Sequence, residues 1–499
     1  MLKIRSRYIL KNILLFLKPK KYLSIIRYNK EIQKKVNISL KDYKEYNQIE
    51  IEIVPIKDNF SGDVINFYES NKEYYHIYFD NIIKEENHIS SKDDVSKIKI
   101  IIDYEIKSLE RLFENCYYIS SINFVKFNRK DITNMSHMFN GCKNLININF
   151  SNFNTSKVTD MSLMFCNCSS LKELNISNFN TSEVTIMGYM FENCMNLEEL
   201  NLSSFNTSKV DYMCWMFKNC YSLKELNLSN FNTSKITYMN SMFKNCSSLK
   251  ELNISNFNTF QVTDMGSMFE KCKSLKELNI SNFNTSKVKF MSSMFKKCSS
   301  LKELNVSNFD TSQVTSMSYM FKKCSSLKEL NVSNFNTSQV KYMCSMFNNC
   351  SSLKELNVSN FNTSQVTDMS SMFEKCSSLE ELNVLNFNTS QVTNMEHMFD
   401  NCNSLKNLDI SNFDIKDNAK NDYMFSLCSD ALKNKIRNQN KKINENIFKD
   451  RQDNGNLHEF YFEDDYSYSI SSSEFEKEFD LLIKPNFQFS FYNISELNN

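Results

Sequence analysis

Leu353-Lys354-Glu355-Leu356-Asn357-Val358-Ser359-Asn360-Phe361-Asn362-Thr363-Ser364-Gln365-Val366-Thr367-Asp368-Met369-Ser370-Ser371-Met372-Phe373-Glu374-Lys375-Cys376-Ser377-Ser378 is one copy of a unit that fills most of this chain. The copies change so little that a cysteine returns every 26 residues, at Cys116, Cys142, Cys168, Cys194, Cys220, Cys246, Cys272, Cys298, Cys324, Cys350, Cys376, Cys402 and Cys428. One residue type held at one interval over that distance requires turns of chain stacked in register, so the chain reads as a solenoid. Leu353, Leu356 and Val358 have the spacing of a short strand with its apolar side inward. Met369, Met372, Phe373 and Cys376 fall at i, i+3, i+4 and i+7, which predicts a helix of about two turns with one buried face. Thr367 or Ser364 is its expected N-cap. The expected fold is an α/β solenoid, a stack of short parallel strands and short helices. At about 4.8 Å per turn the array would be roughly 60 Å long.

The 499 residues carry 59 Lys and Arg against 58 Asp and Glu, a balance that argues against a global electrostatic role such as coating nucleic acid. Sixteen cysteines would suggest disulfides in a small secreted protein. Here thirteen follow the repeat and only Cys166, Cys214 and Cys344 do not, which fits reduced thiols acting as small buried hydrophobes. Stacked neighbours about 5 Å apart do not exclude pairing on distance. The apolar run Ile13 to Leu17 is short and meets Lys18-Pro19-Lys20-Lys21, so it does not read as a secretory signal. No stretch approaches the apolar length of a membrane span. Triplets such as Asn180-Thr181-Ser182 and Asn331-Val332-Ser333 would be glycosylation acceptors in a eukaryotic secretory pathway. An intracellular, cytoplasmic location is therefore expected, with the cell surface as the alternative.

Four regions follow from composition. Residues 1–48 form a basic helical segment; the first 44 carry 13 Lys or Arg against Glu31 and Asp42. Residues 49–108 form a strand region and cap, in which Ile49, Ile51 and Ile53 alternate with Glu50 and Glu52, and Ile98, Ile100 and Ile102 with Lys99 and Ile101. Val95, Ile98 and Ile100 share the spacing of the later units and read as a first, irregular turn. The array fills 109–428. Residues 429–499 give a Lys- and Asn-rich closing helix, then an acidic, aromatic tail that either caps the array or is disordered.

The unit Leu-x-x-Leu-Asn-Val-Ser-Asn-Phe-Asn-Thr-Ser-x-Val-Thr-x-Met-x-x-Met-Phe-x-x-Cys, over residues 119–428, closely resembles the BspA-like 26-residue bacterial surface-protein repeat, a branch of the leucine-rich repeats. The resemblance implies a leucine-rich-repeat-like solenoid used in adhesion or protein binding, without enzymatic activity. Residues 7–35 resemble an F-box weakly, through Arg7-Tyr8-Ile9-Leu10, Ile13-Leu14 and Tyr22-Leu23, but lack its opening Leu-Pro and a Trp after Lys30. That likeness implies a substrate adaptor.

Comparing the units with one another separates constant from variable positions. Glu (173, 199, 225 and onward) and Asn (175, 201, 227 and onward) recur along the strands, where stacked Asn amides would bond from turn to turn and adjacent Lys residues would offset the Glu row. The alternative is a monotonous polar surface for an extended ligand. The Met-rich segment varies more. Ile186, Tyr189, Tyr212, Trp215 and Tyr238 fall on consecutive turns and include the one tryptophan. Exposed aromatics anchor binding surfaces, so these five are the candidate partner-binding residues, against a reading as packing between neighbouring turns. Cys166 and Cys168 lack the spacing and the histidines of a zinc site, five scattered histidines build no nucleophile–base pair, and five glycines form no phosphate loop. No catalytic residue, metal, cofactor or small-molecule substrate is expected. The expected partner is a protein; contact of the basic N-terminus with nucleic acid or anionic membrane is a secondary reading beside solvated helix faces.

Overall fold

In the computed structural model, which describes residues 44–450 apart from 58–60, 85, 91–92, 417 and 440–442, each 26-residue unit is one coil laid on the next. The F-box-like pattern and nearly all of the basic run, residues 1–43, and the tail of 451–499 lie outside the described residues.

The Met-rich half of each coil is not a helix. Met369, Ser371, Phe373 and Lys375 donate their N–H groups to the carbonyls of Asn394, Glu396, Met398 and Asp400 in the following coil, at 2.8–2.9 Å. Only the intervening Met372, Glu374 and Cys376 bond within the coil, three residues back, at 3.1–3.2 Å. The alternation requires a left-handed residue every fourth position, and Ser371 (φ 54°) and Lys375 (φ 61°) supply it. A helix turns nearly every N–H onto its own axis and offers the next coil nothing. Thr367, Asp368, Ser370 and Ser371 are weak helix formers, and two turns are too few to stand alone. The expected burial nevertheless holds, since Met369, Met372, Phe373 and Cys376 are all fully buried. Thr367 caps nothing; its hydroxyl donates to Lys341 O of the preceding coil at 3.3 Å.

Three side-chain-closed turns make the corners. In one coil Asn357, Asn362 and Asp368 accept the N–H two residues on, from Ser359, Ser364 and Ser370, at 2.9–3.1 Å. Thr363 is buried and brackets the next coil: its hydroxyl donates to Asn388 O at 2.9 Å and accepts Asn388 N–H at 2.7 Å. The Asn column at 175, 201 and 227 is therefore not an amide ladder, because its carbonyl oxygens are spent on Ser177, Ser203 and Ser229.

Two apolar columns run through the stack. Phe113, Phe139, Phe165 and their equivalents through Phe425 stack ring on ring at 5.3–5.7 Å, within 11° of parallel. Beside them each cysteine of the 26-residue series from Cys142 to Cys428 donates its thiol to the Phe carbonyl of the preceding coil at 3.0–3.2 Å, as Cys298 does to Phe269. A residue small enough for the seam and able to donate explains why cysteine recurs. All sixteen cysteines are unpaired.

Both ends of the array are covered. β1 (Ile49–Pro55), β2 (Gly62–Asp63), β3 (Tyr75–Phe79), β4 (Ile82–Lys84), β5 (His88–Ile89) and β6 (Ile98–Ile102) precede β7 (Ile119–Phe127), which belongs to the first coil. β1 lies antiparallel to both β6 and β7, with Ile51 opposite Ile100 and Phe124, and so covers the first coil's open edge. The segment around Ile98 is thus an antiparallel strand of a six-stranded sheet, ordered β4-β3-β6-β1-β7 and ending on β8 (Asn147–Asn149), not a first turn of the array. Buried Arg129 ties the two parts, donating to Asp103 O and Ile106 O. Farther along, parallel strands survive only in pairs: β9 (Glu173–Leu174) with β10 (Glu199–Leu200), and β11 (Glu225–Asn227) with β12 (Glu251–Asn253). After the last coil, α1 (Asp430–Gln439) buries Leu432 and Ile436, and Gln439 satisfies Leu408 O and Ile410 N–H. Asn446 O and Ile447 O accept the N–H groups of Tyr423 and Phe425 that a next coil would have taken.

Cys298→Ala removes one thiol donor and leaves a small void. It is expected to lower stability by about 1–2 kcal/mol in urea denaturation. A loss below a few tenths of a kcal/mol would show that the thiol bonds contribute nothing.

Candidate interaction surface

The left-handed positions decide which side chains reach the turn face. Tyr189 (φ 61°) and Trp215 (φ 58°) occupy them in adjacent coils, and their rings meet edge to face at 4.6 Å. Ile186 and Tyr212 bridge through their backbones, and Tyr212 lies over Gly188, where a Cβ would sit 2.6 Å from its ring. Ile186, Tyr189, Tyr212 and Trp215 thus come together, and none of the five candidates is an exposed anchor. Tyr189 and Tyr212 are 9% exposed, and Ile186, Trp215 and Tyr238 are half-buried. Their rings pack coil against coil, and burial pushes the Tyr212 hydroxyl far above its usual range. The backbone ladder along this column also lapses between Tyr212 and Tyr238, with Trp215 N–H reaching Asn240 O at 3.3 Å.

The Lys218 ammonium lies 4.5 Å from the Trp215 ring centroid and 2.9 Å from Glu192. Lys218 belongs to a column the sequence reading passed over, one residue before each second left-handed position. Glu192, Lys218, Lys244, Glu270, Lys296, Lys322, Asn348 and Glu374 follow at 26-residue steps. Lys244 and Lys296 hold Glu270 from both sides at 3.0 and 3.1 Å. Burial would raise the Glu270 carboxyl, but the two ammonium groups outweigh it and hold it at about 2. Asn348 donates to Glu374 at 2.8 Å. The periodic signal was present in the sequence as alternating charge at one slot, but a helical reading scattered it around a helix face. A second column, Asn167, Asn193, Asn219 and Asn245, forms the amide ladder expected elsewhere; Asn193 donates to Asn167 at 2.7 Å and Asn219 to Asn193 at 2.6 Å. Asparagine tolerates the left-handed backbone these positions impose, and Gly141 fills the same slot at φ 78°.

Among the described residues no group of three or more His, Cys, Asp or Glu side chains is arranged to hold a metal ion, and no helix is long and apolar enough to cross a membrane. A cavity of about 410 Å³ lies in the strand region, lined by Asp63, Asn66, Phe67 and His88.

Asp264 is 7% exposed and accepts Gly266 N–H at 2.7 Å. Burial raises its carboxyl to about 6. A folded-state value above the unfolded one means the stability tied to this group is fully present below about pH 4 and lost as pH rises through about 6. Asp264→Asn is expected to stabilise the protein by about 2–3 kcal/mol at pH 7.5 and by about 1 kcal/mol or less at pH 4.5, read by urea denaturation at each pH. Equal effects at both would contradict the assignment.

Comparison with known proteins places this array among others. No curated protein matches the chain. Among solved structures it is similar to a leucine-rich repeat protein from Bacteroides ovatus ATCC 8483, at 17% identity over 58% of this chain and 83% of that one, with a TM-score of 0.29. The sequence profile of one family matches residues 107–225, 212–331, 242–357 and 315–439, together about two thirds of the chain and every coil of the stack. By that match the chain belongs to the family described as Mycoplasma protein of unknown function, DUF285.

Proposed function

We propose that the chain is a non-enzymatic protein-interaction scaffold, a leucine-rich-repeat-like solenoid of the BspA-like type that binds a protein partner along its coils. One observation carries the reading: coil after coil hands its backbone N–H groups, ring and thiol to its neighbours, and from Thr155 to Thr389 a threonine hydroxyl as well. Outward side chains therefore stand in fixed columns at one-coil spacing. Such a surface costs a partner little ordering of the scaffold on binding. It offers two faces: a Lys- and Glu-rich strand face of nearly constant sequence, and a turn face whose residues differ from coil to coil. The variable face is the better carrier of specificity, since a partner placed one coil out of register would meet different groups.

A photocrosslinker is placed at Lys341 on the turn face or Lys302 on the strand face of the full chain, in cells that express it. The expected result is a protein captured from Lys341, competed away by unlabelled chain, and weaker or absent from Lys302. Capture that is equal from both positions and not competed would overturn the reading.

We place the protein inside the cell. The thiol seam supports this, because pairing two neighbouring cysteines would break two of its thiol–carbonyl bonds. Burial pushes the thiols up, to about 12 at Cys376 and about 11 at Cys428, so they stay protonated and unreactive near neutral pH. A thiol reagent at pH 8 is expected to modify few cysteines in the native protein and all sixteen after denaturation, and labelling of intact cells is expected to miss the protein. Surface labelling of intact cells, or fewer than sixteen titratable thiols, would contradict the placement.

A further inference from the structure

The charged column of the turn face is balanced until one step. Glu270 serves both Lys244 and Lys296, so Lys296 spends its charge toward the N-terminal side. The next position is again a lysine, Lys322, and the one after it is Asn348, whose amide is turned to Glu374. Among the described residues no carboxylate lies within ion-pair distance of Lys322. Its described partner is the ring of Tyr319, 5.3 Å from the ammonium, and the same ring faces Lys296 at 5.5 Å. Two half-buried ammonium groups therefore flank one aromatic wall with no anion shared between them. Burial first, and then Lys296, lowers the Lys322 amine to about 8, against the opposing pull of the Glu374 carboxylate, which lies beyond ion-pair distance on the far side of Asn348.

We infer that Lys322, with Lys296 and Tyr319, receives an oxyanion from an acidic segment of a protein partner, a carboxylate or phosphate group that completes the charge column. The inference rests on the reading of the array as an interaction surface and names the chemistry recognised there. Tyr319 supplies an apolar floor that keeps water from one side of the pair, and a charge-assisted bond to a half-buried ammonium is worth more than one to a solvated lysine. The left-handed backbone of Tyr319 (φ 62°) fixes the ring between the two lysines.

The test uses the full chain, a fluorescein-labelled hexaglutamate peptide and, separately, inorganic phosphate. Binding is read by anisotropy for the wild type, Lys322→Met, Lys322→Arg and Lys328→Met, the last an exposed strand-face lysine. Lys322→Met is expected to weaken peptide binding by about tenfold, the scale of one charge-assisted bond. Lys322→Arg and Lys328→Met should each stay within about twofold of the wild type. In reductively methylated protein the Lys322 resonance should titrate near 8 and move upward when peptide or phosphate binds. Displacement of the peptide by millimolar phosphate would identify the isolated oxyanion as sufficient; failure of phosphate with retained peptide binding would assign the site to a peptide carboxylate, and either result supports it. Equal binding by Lys322→Met, an equal loss in Lys328→Met, or no binding of either probe would overturn the inference. The crosslinking result at Lys341 would be untouched by that failure and reports on the scaffold reading separately.

Discussion

Backbone hydrogen bonds passed from each coil to the next are the constraint on which the rest depends. A chain that sends every second N–H outward must bend back on itself between those donors, and only a left-handed residue at each fourth position permits that. Met369, Ser371, Phe373 and Lys375 show the consequence in one coil: four donors point at the neighbour, and the two left-handed positions hold the ribbon in that attitude. Non-glycine residues pay roughly 1 kcal/mol or more for such backbone, a cost repeated twice per coil and offset by the bonds it makes available. The phenylalanine stack and the thiol seam follow, since both need the coils held at one spacing and one register.

Much of this was legible in the sequence. The interval of 26 fixed the number and register of the coils, and the apolar pattern gave the buried set without error at Met369, Met372, Phe373 and Cys376. The same pattern misled on conformation, because burial at i, i+3, i+4 and i+7 is shared by a helix and by two linked turns with one residue in each reversed. A cue was present in the residue before each repeated cysteine, which is Asn at 115, 167, 193, 219, 245, 349 and 401 and Gly at 141. Asparagine and glycine at one slot point to positive φ rather than to a helix interior.

The candidate surface was legible only in outline. The aromatic content that singles out Tyr189, Tyr212 and Trp215 does not say whether a ring faces water or the next coil. Here Gly188 opens the gap that Tyr212 fills. The charged column escaped notice because its members, from Glu192 to Glu374, look like ordinary surface charges in any single unit. Only the stack shows that Glu270 is gripped from both sides while Lys322 is not. The array thus joins an invariant interior that sets spacing to a turn face whose residues differ from coil to coil.

The central claim is most directly tested by the denaturation midpoint of Ser371→Gly/Lys375→Gly. Glycine at a left-handed position relieves strain, whereas in a helix interior each such change costs about 1 kcal/mol. The account predicts a midpoint equal to or above that of the unaltered chain. A fall corresponding to about 2 kcal/mol would mean that this segment is helical and that the bonds between coils are not made as described.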